Sequence, residues 1–241
     1  MSTARRTYSY DDTTKLRTQG GTRVMSVYVY EAYLRWWHWI SALCIVILCG
    51  TGYLMGKPLP TLSGEASAHF LMGYMRFAHF GAGYVLAIGL LFRIYCALTG
   101  NTYAREIFIV PVWDPQWWRE FFFELRWYLF LERYPRKYIG HNPAGQLAMF
   151  GFLVVMILMC LTGFALYSEG LGTKSWAYHS FGWVITCLGG NSLAVHSWHR
   201  LGMWAMALFV IVHIYTAVRE DIMSRQSMIS TMVSGHRMFK N

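Results

Sequence analysis

Two histidines in the last apolar stretch of the chain, His199 and His213, are 14 residues apart. An α-helix turns about 100° per residue, so this spacing places both imidazoles on one face, about 21 Å apart along the axis. By the same geometry, His196 lies about 100° away from His213. A neutral imidazole binds a metal through one nitrogen and donates a hydrogen bond through the other. The pattern therefore favours His199 over His196 as a metal ligand.

Four of the stretches that contain no Asp, Glu, Lys or Arg are candidate spans: Trp36–Gly56, Phe77–Phe92, Tyr138–Ser168 and Leu201–Val218. About 20 helical residues cross a hydrocarbon core of about 30 Å. The second stretch reaches that length if the Arg93 side chain extends to the headgroups. Only 14% of all residues are charged, whereas a soluble domain has about 25%. The sequence predicts an all-α integral membrane protein built as a bundle of four transmembrane helices.

Basic residues are concentrated on one side of these spans. Of the 21 Lys and Arg residues, 17 precede the first span, lie between the second and third, or follow the fourth. The positive-inside rule then places both termini of this multi-pass protein in the cytoplasm. The net charge of +9 is explained by this topology, and no nucleic-acid partner is predicted.

This topology sorts four histidines into two layers. His38 begins the first span at the cytoplasmic side, and His79 begins the second at the periplasmic side. The fourth span carries His199 at the periplasmic level and His213 at the cytoplasmic level. Ionisable side chains inside lipid are costly, so paired histidines indicate a ligand. We expect two hemes between the helices, with His79 and His199 as the iron ligands of the periplasmic heme and His38 and His213 as those of the cytoplasmic heme.

The remaining candidate residues refine this prediction. No C-x-x-C-H motif occurs among the five cysteines, so the two hemes are expected to be non-covalent heme b. Glycines near the ligands, such as Gly52 and Gly202, would let a flat macrocycle approach the backbone, or would serve close helix packing instead. Four further histidines lie outside the spans and are expected to be solvated; they are His69, His141, His179 and His236.

The chain divides into a polar tail over residues 1–24, a membrane domain over 25–224 and a second polar tail over 225–241. Disorder is predicted for the first tail. The spans are expected at about 34–55, 76–98, 143–167 and 197–218. The aromatic segment between Gly100 and Asn142 is interpreted as an amphipathic helix at the headgroups or as an extension of a span. A helix too short to cross is expected between Ser175 and Ser197.

Several motifs give the chain a family resemblance. They are RWWHW (35–39), the loop Gly56–Pro60, MGYMRFAHF (72–80), NTYAREIFIVPVW (101–113), IGHNP (139–143), LTGFALYSE (161–169), GGNSLAVHSWHRLGMW (189–204) and VHIYTAVREDIMS (212–224). With them the chain resembles the b-type cytochrome subunits of membrane-bound [NiFe] uptake hydrogenases, within the diheme cytochrome b561-like proteins. The resemblance covers nearly all of residues 25–236 and departs at no ligand position.

The resemblance implies a specific function. In that family a periplasmic hydrogenase oxidises H₂ with its large subunit and passes electrons through the iron–sulfur clusters of its small subunit. The cytochrome, with the membrane helix of the small subunit, anchors the enzyme and carries electrons to quinone. On this basis the chain would perform no H₂ chemistry itself.

Three alternatives remain open from the sequence. The chain could be the equivalent cytochrome of another periplasmic enzyme, such as a formate dehydrogenase or a thiosulfate reductase. It could be a transporter whose histidines relay protons, although such a relay predicts acids near the membrane midplane and the four spans have none. A purely structural anchor would leave the paired histidines unexplained.

Overall fold

A computed structural model describes residues 14–19, 22–60, 64–65 and 69–239. The predictions for residues 1–13 and 240–241 lie outside the described residues. In chain order the elements are β1 (Thr14–Gln19), β2 (Thr22–Tyr28), α1 (Ala32–Gly56), α2 (Leu71–Thr99), α3 (Thr102–Arg105), α4 (Pro115–Tyr128), α5 (Pro143–Gly170), α6 (Trp176–Cys187), α7 (Ser192–Met223), α8 (Met228–Ser234) and β3 (His236–Phe239). Most of the chain is therefore helical.

Four of these helices, α1, α2, α5 and α7, are long and apolar enough to cross a membrane. They correspond to the four predicted spans, and the shortest has 25 residues, which is about 38 Å at 1.5 Å per residue. Helix α7 continues about five residues beyond the predicted span at each end, because backbone hydrogen bonding does not stop where the side chains become polar. Large apolar side chains such as Leu43, Ile88 and Leu208 are more than 60% exposed. Such surfaces suit lipid rather than water.

One compact unit comprises residues 36–99 and 148–212 and contains most of the four long helices. Helix α6 belongs to it and begins at Ser175, whose hydroxyl accepts a hydrogen bond from the Tyr178 amide. Val184 and Ile185 of α6 are buried in one cluster with Ala165 of α5 and Val195 of α7. This is the short helix expected between the third and fourth spans.

The other compact unit combines the segment before Trp36, residues 100–147 and the segment from His213 onward. Its three strands form an antiparallel sheet in the order β1-β2-β3. Helix α4 begins at Asp114, whose carboxylate accepts from the Gln116 amide, with a proline in its first turn. The sheet joins the segments before α1 and after α7, so both ends of the membrane domain are tied together.

Strands occur where the sequence analysis expected polar tails. β1 and the start of β2 lie within residues 1–24, and α8 and β3 lie within 225–241. The pairing that stabilises them is non-local, since Tyr28 in β2 is opposite His236 in β3. Composition alone gave no sign of this partner. The disorder expected for the first tail is replaced by strands in the part of it that the structure describes.

Candidate heme sites

His79 of α2 and His199 of α7 come together within the unit that contains the long helices. Their ring centres are 6.4 Å apart and their ring planes are inclined by 66°. Both side chains are partly buried, and both lie near the beginning of their helices. The structure thus places at one level the two histidines that the sequence assigned to one layer.

The separation of the two rings fits a shared metal ion. A hydrogen bond between ring nitrogens is about 3 Å long, so directly bonded imidazoles have centres no more than about 5 Å apart. A metal–imidazole bond is about 2 Å long, so two imidazoles on opposite sides of one ion have centres about 6 Å apart. The observed 6.4 Å agrees with the second arrangement.

A cavity of about 870 Å³ opens beside the two imidazoles. Its walls are largely apolar, and two basic residues, Lys57 and Arg200, also line it. Cofactor pockets commonly measure about 300–1,000 Å³. Apolar walls suit the face of a porphyrin, and the two cations suit its carboxylates. Two imidazoles beside an apolar cavity with two cations on its wall therefore fit a heme.

Each imidazole has a hydroxyl partner on a neighbouring helix. Oγ1 of Thr51 in α1 is 2.9 Å from Nδ1 of His79. Oγ1 of Thr162 in α5 is 2.7 Å from Nδ1 of His199. Sequence reasoning missed both threonines, because a threonine in a transmembrane helix usually bonds only its own backbone. Contacts through Nδ1 leave Nε2 of each ring for a metal.

The second predicted pair, His38 and His213, is distributed over the two compact units. His38 lies in α1, edge-on to the Trp39 ring at 5.1 Å. His213 lies in α7, and both side chains are partly buried. Their pairing around a cytoplasmic heme remains a prediction. His196 lines the cavity beside His199 but is exposed.

His141 differs from the solvated histidine that the sequence predicted. Its side chain is 24% exposed, and Nδ1 lies 3.4 Å from the Glu106 carboxylate and 3.3 Å from the Tyr30 hydroxyl. Its backbone amide also donates to Glu106, at 3.0 Å. The contacts join segments far apart in the chain, so no local pattern could have indicated them.

A second group of polar residues lies in the unit that contains the sheet. Glu124, Asn142 and Glu220 are buried, and Tyr128 is partly buried. The Asn142 amide donates to the Tyr128 hydroxyl at 2.8 Å and to Glu124 at 3.4 Å. The Tyr128 hydroxyl donates to Glu220 at 3.0 Å. Burial, together with the nearby negative charge of Glu220, raises the pKa of Glu124 to about 8. Glu124 is therefore largely protonated at neutral pH.

Comparison with known proteins places these features in a family. The prokaryotic cytochrome b561 family matches residues 29–235. A relative from Azotobacter vinelandii, named a probable Ni/Fe-hydrogenase B-type cytochrome subunit, is 64% identical over 217 residues, which cover 90% of each chain. A protein of the same name from Rhizobium leguminosarum bv. viciae is 57% identical over 217 residues, which also cover 90% of each chain. A relative from Escherichia coli K12, named a probable Ni/Fe-hydrogenase 1 B-type cytochrome subunit, is 52% identical over 225 residues, or 92% of this chain and 95% of its own. The chain belongs to the prokaryotic cytochrome b561 family, which implies a b-type heme.

Proposed function

We propose that this chain is the b-type cytochrome subunit of a membrane-bound [NiFe] hydrogenase, and that it carries electrons from the hydrogenase to quinone. Relatives that align over about nine-tenths of their length bear the name of that subunit. The observation that carries the proposal is the approach of His79 and His199 across one apolar cavity. The chain holds two heme b groups, one on these two residues and one on His38 and His213.

The proposed ligand set explains why the chain transfers electrons and performs no H₂ chemistry. A heme with two axial histidines supplies a one-electron carrier that has no open coordination position. His79 and His199 would hold the iron, and the largely apolar walls of the cavity would surround the porphyrin. The Lys57 and Arg200 side chains would bind its carboxylates. No residue of the cavity is required to activate H₂, because the large subunit of the hydrogenase performs that reaction.

Charge and topology give the direction of transfer. Most of the basic residues lie before α1, between α2 and α5, or after α7. The positive-inside rule puts these segments and both termini in the cytoplasm, and we take the membrane to be the bacterial inner membrane. His79 and His199, near the beginnings of α2 and α7, then lie toward the periplasm. They face the donor, the iron–sulfur small subunit with its membrane helix, and the His38–His213 heme is nearer to quinone.

Purification of the intact complex tests this function. We expect two heme b per copy of this chain, nickel in the co-purified partner, and reduction of both hemes when H₂ is added. A complex that carries formate dehydrogenase activity and no nickel would assign the chain to a different enzyme. Material without heme would overturn the cytochrome function itself.

A further inference from the structure

The two heme-ligand candidates at the periplasmic level are held in the same way by different helices. Thr51 and Gly52 of α1 contact His79 of α2, and Thr162 and Gly163 of α5 contact His199 of α7. The threonine-to-imidazole distances are 2.9 and 2.7 Å. We call these two dipeptides the threonine–glycine pairs. Two matching residues in each half of the chain are too few to appear as an internal repeat in the sequence.

The hydrogen count of each threonine fixes the direction of these bonds. A hydroxyl has one hydrogen to donate. Thr51 donates it to the Ile47 carbonyl at 2.6 Å, and Thr162 donates it to the Leu158 carbonyl at 2.7 Å. Each hydroxyl oxygen must therefore accept from the imidazole, so Nδ1 carries the hydrogen and Nε2 carries the lone pair. This is the tautomer that binds iron through Nε2.

The glycines restrict the same rings from a second direction. A Cβ atom added to Gly52 would lie 3.2 Å from Cε1 of His79, and one added to Gly163 would lie 3.3 Å from Cε1 of His199. Both distances are shorter than ordinary van der Waals contact. The absence of a side chain at each glycine thus lets the imidazole pack against the helix that also provides its hydroxyl partner.

We propose that Thr51 and Thr162 are positioning residues that hold His79 and His199 in the ligating tautomer and lower the reduction potential of the heme between them. The inference rests on the proposed function, since it takes the two histidines as iron ligands. A hydrogen bond from Nδ1–H to an acceptor makes the imidazole more basic. A more basic ligand stabilises ferric over ferrous iron, which lowers the potential.

Substitutions that remove or retain the hydroxyl test this role. Thr51→Val and Thr162→Val keep the shape of the side chain and remove the acceptor, whereas Thr51→Ser and Thr162→Ser keep it. Thr99→Val is the matched control, because the Thr99 hydroxyl donates to the Tyr95 carbonyl of its own helix in the same manner and its side chain is exposed. The measurements are a redox titration of the heme absorbance, the electron paramagnetic resonance signal of the oxidised hemes, and the heme content per chain.

We expect each valine variant to raise the midpoint potential of one heme and shift its resonance signal, with the other heme unchanged. The double valine variant should raise the midpoint potential of the same heme further. The serine variants should have midpoint potentials close to that of the wild type. A valine variant that loses this heme while its serine counterpart keeps it also supports the role. Valine variants that titrate like Thr99→Val would overturn the inference while leaving the cytochrome function intact. Heme-free wild-type protein would instead overturn the proposed function.

Discussion

The centres of the His79 and His199 rings are 6.4 Å apart, although their helices lie far apart in the sequence. Thr51 of α1 contacts the His79 ring, and Thr162 of α5 contacts the His199 ring. Four helices, α1, α2, α5 and α7, therefore converge on one site. Substitutions in each of the four helices should therefore alter the heme bound at this site.

Replacement of a single proposed ligand should remove one heme and leave the other. His79→Ala and His199→Ala should each reduce the heme content from two per chain to one, because iron then loses one of its two axial ligands. His38→Ala and His213→Ala should each remove the second heme. The pyridine hemochrome spectrum of purified protein measures the content.

His196→Ala is the control for this series, since His196 lines the same cavity but is exposed. It should retain both hemes. If His196→Ala lost a heme while His199→Ala kept two, the ligand assignment in α7 would be wrong.

A methyl group at Gly52 or Gly163 should disturb the adjacent imidazole. The added Cβ would approach Cε1 of His79 or His199 to 3.2 or 3.3 Å, so the ring has to move by a few tenths of an ångström or tilt. We expect Gly52→Ala and Gly163→Ala to shift the resonance signal of one oxidised heme and to reduce its occupancy. Electron paramagnetic resonance and heme content together report both effects.

Gly151→Ala is a matched control in α5, because a Cβ there meets nothing within 4 Å. Gly50→Ala serves in the same way for Gly52 in α1. Equal effects at all four glycines would indicate general helix destabilisation rather than contact with the imidazoles.

The sequence predicted the features that depend on local periodicity and charge. The uncharged stretches located the four long helices, and helical phase selected His199, which the structure brings to His79. Gly52 was among the glycines expected near a ligand, whereas Gly163 was not. Long apolar helices can be predicted in this way because, in lipid, every backbone N–H and C=O group must form its hydrogen bond within its own helix.

Features that depend on contacts between distant segments could not be predicted. The threonines that contact the imidazoles look like any back-bonded threonine in a span, and the strand partner of β2 lies at the other end of the chain. His141 was expected in water because no local pattern showed that Glu106 and Tyr30 would enclose it. In each case the informative residue is a partner distant in sequence.

Glu124 should make stability fall as pH rises. Its pKa is raised from 4.5 to about 8 in the folded protein, so between those values the folded state binds more protons than the unfolded state, and the free energy of unfolding decreases with pH. Glu124→Gln carries a neutral amide at every pH and should flatten this dependence. Thermal unfolding of the detergent-solubilised protein from pH 5 to pH 9 measures the slope.

Glu65→Gln changes an exposed loop carboxyl and should keep the wild-type slope. A Glu124→Gln variant whose melting temperature still falls with pH as steeply as the wild type would show that other groups cause the dependence.

Arg219 should stabilise the unit that contains the sheet through its planar guanidinium. The group lies over the rings of Phe130 and Trp127, at 4.1 and 4.4 Å from their centres. It also donates to the carbonyls of Trp127 and Tyr128, at 2.6 and 2.7 Å. Lysine keeps the charge but cannot stack in a plane or donate in a fork. Arg219→Lys should leave one buried carbonyl without its donor and lower the free energy of unfolding by about 1–3 kcal/mol.

Unfolding followed by tryptophan fluorescence measures this loss, since Trp127 lies directly against the guanidinium. Arg133→Lys provides the comparison, because Arg133 is exposed and its guanidinium lies 5.9 Å from the Tyr134 ring, where a cation contributes little. We expect a clear decrease for Arg219→Lys and almost none for Arg133→Lys. Equal stability of the two variants would mean that the positive charge at Arg219, and not its planar geometry, is what the surrounding carbonyls and rings require.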